Sequence, residues 1–339
     1  MSAARRLGGR LVRGSVGRLG YELVRAQPPS SYLTQIAGDA ATLPPDAEAD
    51  LRPDHPRLLE LKRQYAELDW PVTARSRWQG DVLGPQWLDL RFFRGESPFI
   101  WNYRETERVS RLKFFLFLRY VLAFDHRSLV RQLGEDNAFG AWVFRFPGYP
   151  TCSRDLLDSV NELYFLDRHL GVFERPALRV LDIGAGYGRL AHRSVQAIPN
   201  LSSYICVDAI PESTYLCEYY TRHRELAAKA RVVALPDVPA LNPGEFDLAC
   251  NVHSFSEMPI DAIQWWGAQL SRLQPAHLLL VPNEASGFLS TEIDGRRLDY
   301  QPVIEGAGYR LVAEERVFTD DAVRELMMVD DRMCLFERA

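Results

Sequence analysis

Cysteine is scarce and irregularly placed. The five residues Cys152, Cys206, Cys217, Cys250 and Cys334 are odd in number, and no two stand in a C-x-x-C pair. That spacing argues against a zinc knuckle or a dithiol redox motif and suits reduced core residues of a cytoplasmic protein. Long apolar runs are missing too. The stretch FFLFLRYVLAF from Phe114 to Phe124 is broken by Arg119 and falls short of the roughly 20 residues of a membrane span. Positive charge is not in excess: 40 Lys and Arg against 45 Asp and Glu give a formal net charge of −5. This disfavours a nucleic-acid binder that works by whole-surface attraction. No internal repeat divides the 339 residues, a length that suits two domains or one with an extension.

What is present changes along the chain. The N-terminus carries Arg5, Arg6, Arg10, Arg13, Arg18 and Arg25 against the single acid Glu22. Such a segment suits peripheral contact with an anionic membrane surface and has some transit-peptide character. Its glycines (Gly8, Gly9, Gly14, Gly17, Gly20) weaken any helix, so a flexible basic tail is expected. Pro28, Pro29, Pro44, Pro45, Pro53 and Pro56 then mark a linker or an extended wrapping segment. RLLELKRQYAEL, residues 57–68, has helical spacing, and a second helical region is expected over residues 105–133.

After Pro150 the chain alternates regularly. Ser153 is a candidate cap for a helix that ends near Gly171. Strand-like segments follow at 178–183, 203–209, 232–235, 246–252 and 277–283, with helices expected at 189–198, 212–230 and 259–273. Two further strands, 309–318 and 331–338, lie close enough in sequence to pair antiparallel. Strands alternating with helices predict an α/β fold, a doubly wound and mostly parallel sheet with right-handed crossovers.

The sharpest motif is VLDIGAGYGRLA. A strand ends at Asp182, glycines follow at Gly184, Gly186 and Gly188, and a helix begins near Arg189. Glycine suits a tight turn that must approach a ligand closely, and the next helix offers its positive N-terminus. The dinucleotide fingerprint G-x-G-x-x-G would need glycine where Arg189 stands. Acid-x-Gly-x-Gly-x-Gly instead resembles the signature loop of class I S-adenosylmethionine-dependent methyltransferases. Asp208, at the end of the second strand, is placed for a carboxylate to accept hydrogen bonds from vicinal ribose hydroxyls. Alone, each feature is also met as a bare structural turn or a loop-bracing Asp.

The fourth strand runs into NVHSFSEM, with His253, Ser254, Ser256 and Glu257 crowded after Asn251. Ligands in this kind of fold gather at the carboxyl ends of the strands. A neutral His suits removal of a hydroxyl proton at pH 7, so His253 is the candidate base and Glu257 its orienter, substitute or a substrate contact. Ser256 and Glu257 equally suit capping of the following helix.

LDIGAGYGRLA, NVHSFSEM and SRDLLDSVNELYFLDRHLG, together with FFRGESPFIWNYRE, resemble the bacterial sugar O-methyltransferases over roughly residues 85–339. The resemblance implies a Rossmann-like class I fold, S-adenosylmethionine as cofactor, and a sugar, glycan or sugar nucleotide as methyl acceptor. Composition and periodicity divide the chain into a basic tail and Pro-rich linker (1–56), which the resemblance does not cover, a helical, aromatic-rich acceptor region (57–150) and the cofactor-binding domain (151–339). The cofactor set the resemblance implies is Asp182, Gly184, Ala185, Gly186, Gly188, Asp208, Leu235 and Asn251. Acceptor candidates are Arg94, Arg104, Arg154, Asp158 and Glu284, beside aromatic residues such as Trp87, Trp101 and Tyr103, since aromatic faces stack on sugar rings and Arg forks onto anions. No metal ligand set is expected, though a divalent metal is compatible with this chemistry. A cofactor-binding module without turnover, a methyltransferase for a non-sugar small molecule and a nicotinamide-dependent enzyme are the alternatives.

Overall fold

A computed structural model describes residues 42–74, 88–95, 97–100 and 107–339. The Arg-rich tail, most of the Pro-rich linker, Trp87, Trp101, Tyr103 and the acceptor candidate Arg104 lie outside them.

Seven strands form one sheet: β1 (Leu178–Ile183), β2 (Leu201–Val207), β3 (Ala230–Val233), β4 (Leu248–Val252), β5 (His277–Val281), β6 (Tyr309–Arg316) and β7 (Arg332–Arg338). Their order is β3-β2-β1-β4-β5-β7-β6. β1 to β5 are parallel, and β7 runs antiparallel between β5 and β6. This is the Rossmann-like, doubly wound and mostly parallel sheet expected from the sequence, with an antiparallel final pair. The central strands are buried along nearly their whole length because helices cover both faces, whereas edge strand β6 alternates buried with more exposed residues.

The helices are α1 (Ala47–Asp50), α2 (Pro56–Ala66), α3 (Pro71–Ala74), α4 (Glu107–Leu122), α5 (Leu129–Leu133), α6 (Arg154–Leu170), α7 (Arg189–Ala197), α8 (Pro211–His223), α9 (Ile260–Leu273), α10 (Gln301–Gly306) and α11 (Asp321–Met327). α6 has the expected ends: Ser153 accepts a hydrogen bond from the Leu156 amide at 3.1 Å, and left-handed Gly171 closes the last turn. α8 stops seven residues earlier than its sequence suggests. Glu225 takes a left-handed φ of 56°, and the buried Leu226 donates its amide to the Thr221 carbonyl, which closes the helix without a glycine. The third strand is likewise displaced, so Leu235 opens a 3-10 turn (Leu235–Ala240) rather than ending a strand.

Residues before 150 share the cores of the sheet. Leu58, Leu61 and Tyr65 pack in one cluster with Val207, Leu235 and Trp266, while Phe114, Phe117 and Leu118 pack on the opposite side with Leu157, Val180 and Leu279. α2 therefore packs on α8 and on the 3-10 turn after β3, and α4 braces α6 and α11.

Candidate active site

The glycine loop bends across the end of β2. The amides of Gly184 and Ala185 both donate to the Val207 carbonyl, at 2.9 and 3.1 Å. Gly184 and Gly188 have φ of +75° and +88°; a Cβ on the first would overlap Ser254, and one on the second would lie 2.9 Å from Cys217 Sγ. Only glycine satisfies both the backbone angle and the close approach.

The two acids expected to serve a cofactor are both buried at strand ends, Asp182 in β1 and Asp208 just past β2. Asp208 is buried and accepts the amides of Gly186 and Ile210, each at 2.9 Å. Burial pushes its carboxyl up to about 6, against the pull of those amides. Asp182 is also buried, accepts the Tyr204 hydroxyl at 2.9 Å, and is pushed up to about 7 by desolvation. Among the described residues neither acid has an ion-pair partner. Leu235 is fully buried, with its amide bound to the Tyr65 hydroxyl at 2.8 Å. The Asn251 side chain joins β4 to β1, donating to the Ile183 carbonyl at 2.8 Å and accepting the Phe255 amide at 2.9 Å.

His253 follows β4 and donates its amide to Val281 at 2.8 Å, yet its φ is +65°. A left-handed conformation at a non-glycine residue is uncommon, and such strain (about 1–3 kcal/mol) persists where the surroundings enforce it. The next residues, Ser254–Glu257, form a 3-10 turn in which Glu257 is half-buried. The expected cap of α9 is absent here. Glu292 caps α9 instead, accepting the Ile260 amide at 2.9 Å. Ser256 donates to Glu284 Oε2 at 2.9 Å and accepts the Asn283 amide at 3.2 Å. Glu284 also pairs with Arg297, so its carboxylate braces the loop after β5.

Three of the sequence candidates share one recess. Its lining includes His253, Arg154, Asp158, Glu162 and Asp331, with Val281, Phe318 and Met333 among its apolar residues. Arg154 pairs with Asp158 one turn along α6 at 3.0 Å, both partly exposed. Glu162 forms a bidentate pair with Arg189, at 2.8 Å through Oε1 and 2.9 Å through Oε2, linking this recess to the first turn after the glycine loop. Arg94 is placed elsewhere. Its buried guanidinium contacts Glu135, Asp136 and Asp155 at 2.7, 2.8 and 3.1 Å, so it holds the interior together instead of facing an acceptor. Asp155 also accepts the Tyr187 hydroxyl at 2.6 Å, which ties that network to the glycine loop.

Sequence reasoning missed Tyr65 and Asp331, which reach the site across long sequence separations and belong to no motif, and it gave no role to Ser254 or Asp155, which lie inside quoted motifs. Among the described residues no group of three or more His, Cys, Asp or Glu side chains is disposed to hold a metal ion, and no helix is long and apolar enough to cross a membrane.

No family model and no curated protein matches the chain in sequence. Solved structures resemble part of it. An S-adenosylmethionine-dependent methyltransferase from Mesorhizobium loti is 13% identical, over 52% of this chain and 98% of that one, with a TM-score of 0.37. One from Clostridium acetobutylicum is 12% identical, over 52% and 90%, with a TM-score of 0.38. The cyclase SpnF is 16% identical, over 66% and 94%, with a TM-score of 0.39. At this identity and TM-score, activity has to be read from the site itself.

Proposed function

We propose that the chain is an S-adenosylmethionine-dependent O-methyltransferase whose acceptor is a hydroxyl of a sugar, glycan or sugar nucleotide. The observation that carries this reading is the pair of buried acids without ion-pair partners among the described residues, Asp182 at the end of β1 just before the glycine loop and Asp208 holding the loop's Gly186 amide. A site with under-neutralised carboxylates suits a cationic ligand, and Asp208 stands just past the end of β2, where a carboxylate can meet a ribose diol. Asp182, Gly184, Ala185, Gly186, Gly188, Asp208, Leu235 and Asn251 would hold the cofactor.

Adenosylmethionine, when bound, supplies a methyl group that the acceptor oxygen takes as sulfur keeps the carbon–sulfur electron pair, leaving the hydroxyl proton for a base of the chain. His253 is that base, and a neutral imidazole is suited to the task near pH 7. Arg154 and Asp158 present a donor fork and an acceptor at the rim, a combination suited to a polyhydroxylated or anionic acceptor. All five thiols are buried and free, in keeping with a reducing, cytoplasmic setting.

Titration calorimetry with adenosylmethionine and with NAD tests the cofactor. Adenosylmethionine binding is expected, and NAD binding alone overturns the reading. A mass-spectrometric screen of sugars, glycans and sugar nucleotides for the gain of one methyl then tests the acceptor class. His253→Ala should retain cofactor affinity and lose turnover.

A further inference from the structure

Asp331 stands at the junction of α11 and β7, where its carbonyl accepts the Val317 amide at 2.9 Å and so anchors the antiparallel β6–β7 pair. The three charged residues of this junction face different partners. Asp330 pairs with Arg316 at 3.5 Å and Arg324 at 3.3 Å, and Arg332 pairs with Glu314 at 2.8 Å. Asp331 instead lines the recess and places Oδ2 3.2 Å from His253 Nε2. The carboxylate is 19% exposed and the imidazole 32% exposed, so water screens the pair only in part. The other ring nitrogen, Nδ1, makes no hydrogen bond among the described residues. The remaining charged groups of the recess come from α6. Arg154 is engaged with Asp158, and Glu162 with Arg189.

We propose that Asp331 is the positioning residue for the base: it favours the His253 ring with its proton on Nε2, leaving Nδ1 as the nitrogen that receives the acceptor's proton. This rests on the methyl-transfer reading for its catalytic part. When Nδ1 takes the hydroxyl proton, the imidazole becomes a cation held 3.2 Å from a carboxylate supplied by the last strand pair. The left-handed turn at His253 and the β6–β7 junction thus act together: the first sets the ring's origin, the second its tautomer.

The test uses the full chain with its seven histidines labelled with nitrogen-15, the His253 signal being identified by its loss in His253→Gln. In neutral rings of the wild type, the expected His253 pattern is Nε2–H with bare Nδ1. Asp331→Ala should lose that preference, and Asp331→Glu should restore it at least in part. In methyl transfer, Asp331→Ala should lower kcat by about a hundredfold, the low end of general-base effects, with KM nearly unchanged. A wild-type ring protonated on Nδ1 overturns the proposal even if the alanine variant does not fold. A tautomer pattern or a kcat unchanged in Asp331→Ala overturns it equally. The tautomer measurement needs neither cofactor nor acceptor. A chain that moves no methyl yet shows the Nε2–H ring would therefore sink the proposed function while supporting the pairing.

Discussion

The Tyr65 hydroxyl lies 2.8 Å from the Leu235 amide nitrogen and 2.9 Å from Thr214 Oγ1, and it also reaches the Asp208 carbonyl at 3.3 Å. One side chain of α2 thereby ties the end of β2 to the turn after β3, at two positions proposed above to hold the cofactor. Removing the hydroxyl strands a buried amide, at a cost of about 1–3 kcal/mol. Tyr65→Phe is expected to lower the thermal midpoint, and an unchanged midpoint would show that water or a neighbour replaces the bond.

Gly184 and Ser254 meet so closely that any Cβ at 184 displaces the turn after β4. Gly184→Ala carries two penalties, a left-handed φ of +75° and this overlap, and should lose cofactor binding along with stability. Adding Ser254→Gly removes the overlap but leaves the backbone angle. The double variant should recover part of the stability, and a failure to recover any would place the whole penalty in the backbone.

The ion network around Arg94 predicts a larger effect. Arg94 and Arg193 share Glu135 and Asp155, all four nearly inaccessible, and together the arginines hold Asp155 far below the usual carboxylate range despite its burial. Arg94→Met leaves buried negative charge uncompensated, with an expected loss of about 3–5 kcal/mol. Because Tyr187 donates to Asp155, the glycine loop should loosen as well. Faster hydrogen exchange at residues 184–188 in the variant would demonstrate that coupling, and unchanged exchange would disprove it.

The parts of the fold legible in the sequence are those set by local chemistry. Ser153 and Gly171 bound α6 because each satisfies helix-end backbone groups within a few residues. The glycine loop is legible because its backbone angles require glycine. The end of α8 was hidden, since Glu225 adopts the left-handed position that a glycine would have announced. Arg94 looked like a ligand-binding residue because its acidic partners lie about 40 to 60 positions away, in a loop and in α6. The Tyr65–Leu235 bond joins residues 170 positions apart, and the Asp331–His253 pair crosses from the last strand to the fourth. Periodicity and motif spacing record neither.

The two unpaired acids give the site a pH signature. Asp182 and Asp208 are raised by burial to about 7 and about 6, so the folded chain holds their protons to higher pH than the unfolded chain does. Their contribution to stability is complete below about pH 4 and is lost as pH rises through 6 to 7. Groups with arginine partners, such as Asp247 beside Arg179, act in the opposite sense at lower pH, so a single-site variant is needed to isolate the effect. For Asp182 the rise from 3.8 to about 7 corresponds to on the order of 4 kcal/mol at most. Asp182→Asn keeps an acceptor for the Tyr204 hydroxyl and removes the charge. Its thermal midpoint should match that of the wild type near pH 4 and exceed it near pH 8, in the absence of ligand. Cofactor affinity should run the other way, since a cation is held best once both acids are ionised. Wild-type affinity for adenosylmethionine should therefore fall as pH drops from 8 to 5, and in Asp182→Asn it should be weaker and less dependent on pH. A variant destabilised equally at every pH would instead assign Asp182 to the structure of the loop alone.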